Sequence, residues 1–345
     1  MIISRSIENI LKEKRIIVKL IIQIPCFNEE ETLPITVADL PRELQGIDCL
    51  EYLIINDGSK DRTVEVAREL GVHHIVNFNQ NKGLARGFAA GLDACLHLGA
   101  DIIVNTDADN QYRGEDIARL IKPILDGKAD IVMGERPIDQ TKHFSASKKK
   151  FQHVGSFVVR VASGTSIPDA PSGFRAYTRE AALRINIINE YTYTLETIIQ
   201  AGHNKIAMAS VPVRTNEELR ESRLFKSAWK YMKRSSTIII RSFMMYKPLR
   251  FFSILGSLLS LAGFAILIRF LIFYFTGSGA GHVQSLLFSV LFFLLGFQCI
   301  ITGLQADLTS ANRKLLEDIQ YRVRKMDCMP DAEKPVKTLD NTGEK

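Results

Sequence analysis

Ile102-Ile103-Val104-Asn105-Thr106-Asp107-Ala108-Asp109-Asn110-Gln111 is the stretch whose reading decides the rest of the chain. Its first half is a short apolar, β-branched run, the pattern of a strand buried on both faces of a parallel sheet. Its second half sets two carboxylates and an amide directly past the strand's end. Open α/β sheets bind ligands at the carboxyl ends of their strands. An all-oxygen set of this kind suits a hard divalent cation, Mg2+ or Mn2+. Taken alone, the same residues read equally as a helix-starting turn, because Asp and Asn are common turn formers. The flanking sequence separates the two readings.

Residues 16–25 (IIVKLIIQIP) predict a first central strand, with Pro25-Cys26-Phe27-Asn28-Glu29-Glu30 turning off its end. Residues 51–56 (EYLIIN) predict a second, closed by the tight-turn pair Asp57-Gly58, and a helix follows over 62–70. Residues 73–78 give a third strand. Asn79 to Gly83 then turn into an Ala/Gly-rich helix over 84–98, whose small residues allow close packing on a sheet. A strand over 101–106, a helix over 114–125 and a strand over 129–134 (ADIVMG) continue the alternation. This regular pattern predicts an α/β fold with a doubly wound, mainly parallel sheet. Beyond Arg136 the pattern changes. A long basic loop spans 137–150, helices are expected over 151–163, 179–188 and 191–201, and a last strand over 206–213. Residues 167–175 read as a turn-rich segment between helices.

The 345 residues carry a net charge of +6, and its distribution says more than its size. Basic clusters fall at 142–150, 220–234 and 313–325, the last two flanking a strongly apolar region. That arrangement points to a membrane surface or a phosphate-bearing substrate rather than to nucleic acid. Within 220–246, Leu224, Phe225, Trp229 and Met232 alternate with Arg223, Lys226, Lys230 and Lys233, the pattern of a helix lying in a membrane interface. Residues 251–275 and 286–304 are each long enough to span a hydrocarbon core. The connection 276–285 holds no Lys or Arg, whereas Lys247, Arg250, Arg313 and Lys314 lie on the other side. The positive-inside rule then places the α/β domain and both termini in the cytoplasm. Arg269, inside the first span, is expected to snorkel to the far headgroups. The expected division is 1–218 catalytic, 219–247 juxtamembrane, 248–307 a two-helix anchor, and 308–345 a charged helix with a structureless tail from Met326. The five cysteines show no C-x-x-C spacing, consistent with a reduced, cytoplasm-facing protein, and residues 1–15 lack a signal-peptide pattern.

Six segments recur in order: PCFNEE at 25–30, NDGSKD at 56–61, NKGLA at 81–85, DADNQ at 107–111, GER at 134–136 and SGFRAY at 172–177. In this the chain resembles the inverting family-two glycosyltransferases of GT-A fold. Within them it is similar to the polyprenyl-phosphate glycosyltransferases, the group of dolichyl-phosphate mannose synthase and its undecaprenyl-phosphate relatives. The resemblance covers about residues 16 to 218, and the two spans match members that carry such an anchor. It implies transfer of one sugar from a nucleotide-diphosphate sugar to a polyprenyl phosphate at the cytoplasmic membrane face.

It also implies roles for residues. Pro25, Phe27, Asn28 and Glu29 would line the nucleotide pocket, and Asp57 would hydrogen-bond the base, although Asn56 stands where the family often has a first acid. Lys82 and Gly83 open a helix where backbone N–H groups and a cation can meet phosphate. Asp107, Asp109 and Gln111 would hold the metal across the donor diphosphate, offsetting the charge that develops on the leaving group. Arg136, Lys149, Lys150, Ser172, Arg175, Arg220 and Arg223 would bind acceptor or donor phosphate, a task suited to the guanidinium fork. A polyprenyl phosphate is already anionic, so no general base is required. Glu196 is therefore expected to position a partner, and the roles of Asp169 and Glu196 in catalysis are left open. A processive polysaccharide synthase, with its Q-x-x-R-W signature, fits less well, since the one Trp lies in LFKSAW at 224–229. A membrane nucleotidyltransferase would carry a Gly/Arg-rich loop where PCFNEE stands. A non-catalytic nucleotide-sugar scaffold is disfavoured by the intact acidic cluster. Association of copies through the spans is open.

Overall fold

Strands β1 (Lys19–Cys26), β2 (Cys49–Asn56), β3 (His74–Asn77), β4 (Ile102–Asn105), β5 (Ile131–Glu135), β6 (Arg175–Thr178) and β7 (Met208–Pro212) form one sheet in the order β3-β2-β1-β4-β6-β5-β7. The structure is a computed structural model and describes residues 17–137, 160, 163–165, 167–187, 193–216, 244, 248–277 and 279–328. All neighbouring strands are parallel except β6, which runs antiparallel to both β4 and β5. The helices are α1 (Leu33–Asp39), α2 (Thr63–Glu69), α3 (Leu84–His97), α4 (Ile117–Leu125), α5 (Arg179–Arg184), α6 (Thr194–His203), α7 (Pro248–Phe275) and α8 (Val283–Asp327). The expected helix start at Gly114 is a 3-10 turn, Gly114–Asp116, that leads into α4.

The chain divides into two compact units, residues 1–232 with 321–345, and residues 233–320. In the first, alternation along the central strands builds two cores. Leu20, Ile22 and Ile24 of β1 face α1 and α4 with Val104 and Val132, while Ile21 joins Leu53, Ile103 and Tyr177 against α3 and α5. Burial on both faces is why the strands read as unbroken apolar runs. The close packing expected of α3 is found at Gly91, where an added Cβ would collide with the side chains of Gln23 and Ile55. β6 was not anticipated. Its four residues begin with a charge, and the sequence there reads as a turn-rich loop. Thr178 ends the strand and caps α5, its hydroxyl accepting from the Ala181 N–H at 3.1 Å.

Of the structureless tail expected from Met326, residues 326–328 instead close α8 within the first unit, and 329–345 lie outside the described residues. Tyr321 donates to both carboxylate oxygens of Glu180 (2.8 and 3.0 Å) and lies under the Arg184 guanidinium. Arg324 donates to the Ile185 carbonyl at 2.9 Å, and Arg179 to the Cys328 carbonyl at 2.6 Å.

In the second unit, α7 and α8 are both long and apolar enough to cross a membrane. The second expected span is the first half of α8, which continues without a break to Asp327. Apart from Pro248 at the start of α7, their buried positions are small: Gly256 and Gly263 on α7, and Ser289, Gly296, Gly303 and Ser310 on α8. A Cβ on Gly256 would meet the Gly296 carbonyl at 2.7 Å, and Ser289 donates to the Gly263 carbonyl at 2.9 Å. Small residues let the backbones approach, as in membrane helix pairs. Leu258, Leu261, Leu294 and Phe297 point outward and are exposed.

Candidate active site

The carboxyl ends of β1, β2 and β4 bring three loops together. The first two are knitted by side chain to backbone bonds. Asn28, at φ +54°, accepts from the Lys60 N–H through Oδ1 at 2.8 Å, and its own N–H donates to Ser59 Oγ at 2.9 Å. The Glu29 N–H donates to Thr63 Oγ1 at 2.9 Å. Its carboxylate, buried, accepts from the Thr32 hydroxyl at 2.6 Å. Pro25, expected to stop the first strand, lies within β1 opposite Ile55, and Phe27 follows it, half-buried.

Asp57, expected at the base, is engaged by the backbone of a neighbouring loop. Its two oxygens accept the backbone N–H groups of Lys82 (2.7 Å) and Gly83 (2.9 Å). Those N–H groups, expected to face phosphate, are thus engaged by a buried carboxylate that clamps the loop before α3. Gly58 completes the clamp. At φ +71° its missing Cβ leaves room for the backbone of Gln80 and Asn81. Lys82 itself is exposed, with Nζ 4.5 Å from the centre of the Phe78 ring. Asn56 bonds the Asn77 amide and accepts from the Ser59 N–H, holding the turn in place of a second acid.

The acidic loop leaves β4 after Asn105. Asp107 and Asp109 are both half-buried, and Asp109 Oδ1 accepts from the Gln111 N–H at 3.2 Å. Gly173 backs the first of them: a Cβ there would lie 3.0 Å from a carboxylate oxygen of Asp107 and 3.1 Å from the Tyr193 hydroxyl. Among the described residues no three His, Cys, Asp or Glu side chains converge as a metal cage. Two carboxylates on one loop, with Gln111 next in it, are a donor set that fits Mg2+ or Mn2+, which keep several waters and take substrate phosphates as ligands.

Beside this loop, Arg136 forms a two-pronged pair with buried Asp169, Nε to Oδ2 at 2.8 Å and Nη2 to Oδ1 at 3.0 Å. Burial alone would lower the guanidinium's pKa, but its surroundings, with the Asp169 and Asp107 carboxylates among them, raise it on balance, so it stays cationic. Burial pushes the Tyr112 phenol up to about 12. Its ring stacks on Phe174, and its hydroxyl accepts from the Gly173 N–H at 3.3 Å.

Arg175 requires a correction. Expected at the acceptor phosphate, it is wholly buried, donating to the carbonyls of Ser172 and Ala170 (both 2.7 Å) and to Thr197 Oγ1 at 2.6 Å. It pins the turn before β6. Ser172 is equally buried, so it offers no open face to a phosphate. Glu196 is buried on α6. Lys149, Lys150, Arg220, Arg223 and the expected interfacial helix lie outside the described residues.

Sequence reading missed two supports of the site. Gln23 and Asn105 interrupt apolar strands, and they bond each other at 2.9 Å. Asn105 continues to the Gly173 carbonyl (2.8 Å) and the Tyr193 hydroxyl (2.9 Å). A polar residue inside each apolar run was the available signal. The second support, Arg214 to Asn216 against the acidic loop, had no local signal.

The comparisons agree with this fold. Residues 21–185 match the model of Glycosyl transferase family 2. A UDP-N-acetylglucosamine–dolichyl-phosphate N-acetylglucosaminyltransferase of Methanococcus voltae is 32% identical, over 56% of this chain and 83% of that protein. An undecaprenyl-phosphate 4-deoxy-4-formamido-L-arabinose transferase of Photorhabdus laumondii is 28% identical over 89% of this chain and 92% of its own. Among solved structures, glucosyl-3-phosphoglycerate synthase of Mycobacterium tuberculosis, in complex with Mn2+, UDP and glucosyl-3-phosphoglycerate, superposes with a TM-score of 0.51. It is 17% identical and covers 66% of this chain and 79% of that one, a likeness of GT-A fold. The chain, with its acidic loop past β4 in this sheet, belongs to glycosyl transferase family 2 and is a glycosyltransferase.

Proposed function

We propose that the protein transfers one sugar from a nucleotide-diphosphate sugar to a polyprenyl phosphate, with a divalent metal and inversion at the anomeric carbon, at the cytoplasmic face of a membrane. The observation that carries this reading is the pairing of Asp107 and Asp109 past β4 with a cationic Arg136 beside them, in a chain that also holds two apolar helices. Relatives named for dolichyl-phosphate, polyprenol monophosphate and undecaprenyl-phosphate transfer support the acceptor class. The fold neighbour crystallised with Mn2+ and UDP supports the metal and the donor class.

In this reading Asp107 and Asp109 hold the metal, with Gln111 completing the protein's share. When bound, the metal offsets the negative charge that grows on the leaving nucleoside diphosphate. The loops clamped by Asp57 and Asn28 seat the nucleotide. Arg136, held by Asp169, spends two N–H groups on that carboxylate and turns its remaining donors to the acceptor phosphate. A phosphate oxygen is anionic at neutral pH, so the chain's task is to orient it within attack distance, not to remove a proton. The test uses full-length protein in vesicles holding polyprenyl phosphate, offered labelled UDP- and GDP-sugars with Mg2+ or Mn2+. Label should enter the organic phase and be lost with EDTA or in Asp109→Asn. Label in a water-soluble polymer, or none transferred from any donor, contradicts the proposal.

A further inference from the structure

Residues 214–216 lie across the acidic loop like a short strap, and one side chain does most of the holding. Asn216 donates its backbone N–H to the Gln111 carbonyl at 2.9 Å and its amide Nδ2 to the Asn110 carbonyl at 3.1 Å. Its Oδ1 accepts from Arg113 Nε at 3.2 Å. Thr215 forms an antiparallel bridge with Tyr112 between these contacts. Four consecutive loop residues, Asn110 to Arg113, are therefore each fixed from Thr215 or Asn216.

The strap has its own anchor. Arg214 reaches Asp116, a fully buried carboxylate, through its backbone N–H (2.6 Å) and its guanidinium (2.8 Å). On the far side, the Gly114 N–H is tied to Asp39 at 2.7 Å. Asn110 sits at φ +54°, a left-handed conformation that Asn adopts more readily than other residues with a side chain. Here the Asn216 amide holds the carbonyl of that same residue, between Asp109 and Gln111.

We infer that Asn216 is a positioning residue for the acidic loop, fixing the Asn110 and Gln111 backbone so that Asp109 and Gln111 present their oxygens to a divalent cation. The inference rests on reading Asp107 and Asp109 as the metal-holding pair. Residues that orient metal ligands without touching the ion commonly change affinity ten- to a hundredfold when removed. Asn216 acts through the backbone of the loop and so belongs to this class.

The test measures binding of Mn2+ alone, and of Mn2+ with UDP or GDP, to the full-length protein in detergent, from the free Mn2+ signal in electron paramagnetic resonance. Asn216→Ala should weaken Mn2+ binding about tenfold, while nucleotide binding in EDTA is unchanged. Asn216→Asp, which keeps the acceptor for Arg113 and removes the donor to Asn110, should show a similar loss. Arg113→Ala alters an exposed residue and should give a smaller loss in the same direction; it carries the test if neither Asn216 variant folds. A purely structural part would lower the melting temperature and leave Mn2+ affinity alone. Mn2+ binding within about twofold of the parent in Asn216→Ala and Arg113→Ala overturns the inference. Mn2+ binding unaffected by Asp109→Asn overturns the metal reading beneath it, and the inference falls with that reading.

Discussion

The loops after β1, β2 and β3 and the acidic loop after β4 all sit at the carboxyl ends of strands in one sheet, yet they are held in different ways. The loops after β1, β2 and β3 are bound to each other. Asn28, Glu29 and Asp57 reach partners between 25 and 34 residues away, all within one side of the sheet. The acidic loop takes one bond from earlier in the chain, Thr36 Oγ1 to the Ala108 carbonyl at 2.9 Å, but most of its partners lie much further along it. Gly173 backs Asp107, Asn105 reaches Tyr193 across 88 residues, and Asn216 reaches Asn110 across 106. The first arrangement is a local clamp that can be lost piece by piece. The second depends on β6 and β7 being in place, so its geometry is set only when the sheet is complete.

The sharpest way to break this contrast is Gly173→Ala. The new Cβ would stand 3.0 Å from the Asp107 carboxylate and 3.1 Å from the Tyr193 hydroxyl, so one of them must shift. A displacement of about 1 Å at a reacting site can cost a hundredfold, and the few tenths of an ångström needed here should lower kcat about tenfold with a folded protein. Activity within a few-fold of the parent would show that the acidic loop is not held as tightly as the sheet implies. Asp57→Ala probes the local clamp. It frees the Lys82 and Gly83 N–H groups to water and should cost about 2 kcal/mol of stability. The KM for the donor should rise about tenfold with kcat little changed, the signature of lost ground-state binding. A fall in kcat without a change in KM would place Asp57 at the chemistry instead.

A smaller effect is expected from acid. Burial opposes ionisation at Asp61, Asp116 and Glu180, but hydrogen bonds outweigh it: from Thr63 and the backbone at Asp61, from Arg214 at Asp116, and from Arg184 and Tyr321 at Glu180. All three pKa values are lowered on balance. A carboxyl group lowered by folding contributes stability that is fully present above its unfolded value of about 4 and is lost as pH falls through the folded one. The melting temperature should therefore be insensitive to these groups between about pH 5 and 7 and drop below about pH 4. Asp116→Asn should lower it by a few degrees at pH 7 and flatten part of the acid-side fall. A melting temperature that keeps its full acid-side fall in Asp116→Asn would remove Arg214 as the anchor of residues 214–216.

What could be read from the sequence follows the same divide. β1, β2 and β4 are apolar on both faces, and the turns after β1 and β2 carry residues whose partners lie nearby, so these strands and those two loops were visible in the order of residues. Arg175 was misread because a charge in a turn-rich segment resembles a ligand. Its actual partners, the Ser172 and Ala170 carbonyls and Thr197, satisfy a buried guanidinium only once the turn has formed. β6 was missed for the same reason, since a four-residue strand that starts on Arg lacks an apolar pattern of its own. The contacts of Asn216 and Cys328 join segments whose proximity no periodicity encodes. Gln23 and Asn105 stand between these cases: the interruption was legible, the bond between them was not.

The central claim is that the acceptor is a lipid phosphate and that a sugar, not a phosphosugar, is transferred to it. Phosphorus NMR of the lipid extracted after turnover, using the donor that labels the organic phase, tests this most directly. The account predicts that the phosphomonoester resonance of the polyprenyl phosphate gives way to a phosphodiester, with the anomeric proton showing the configuration opposite to the donor. An unchanged monoester, or a diphosphate resonance in its place, would contradict it.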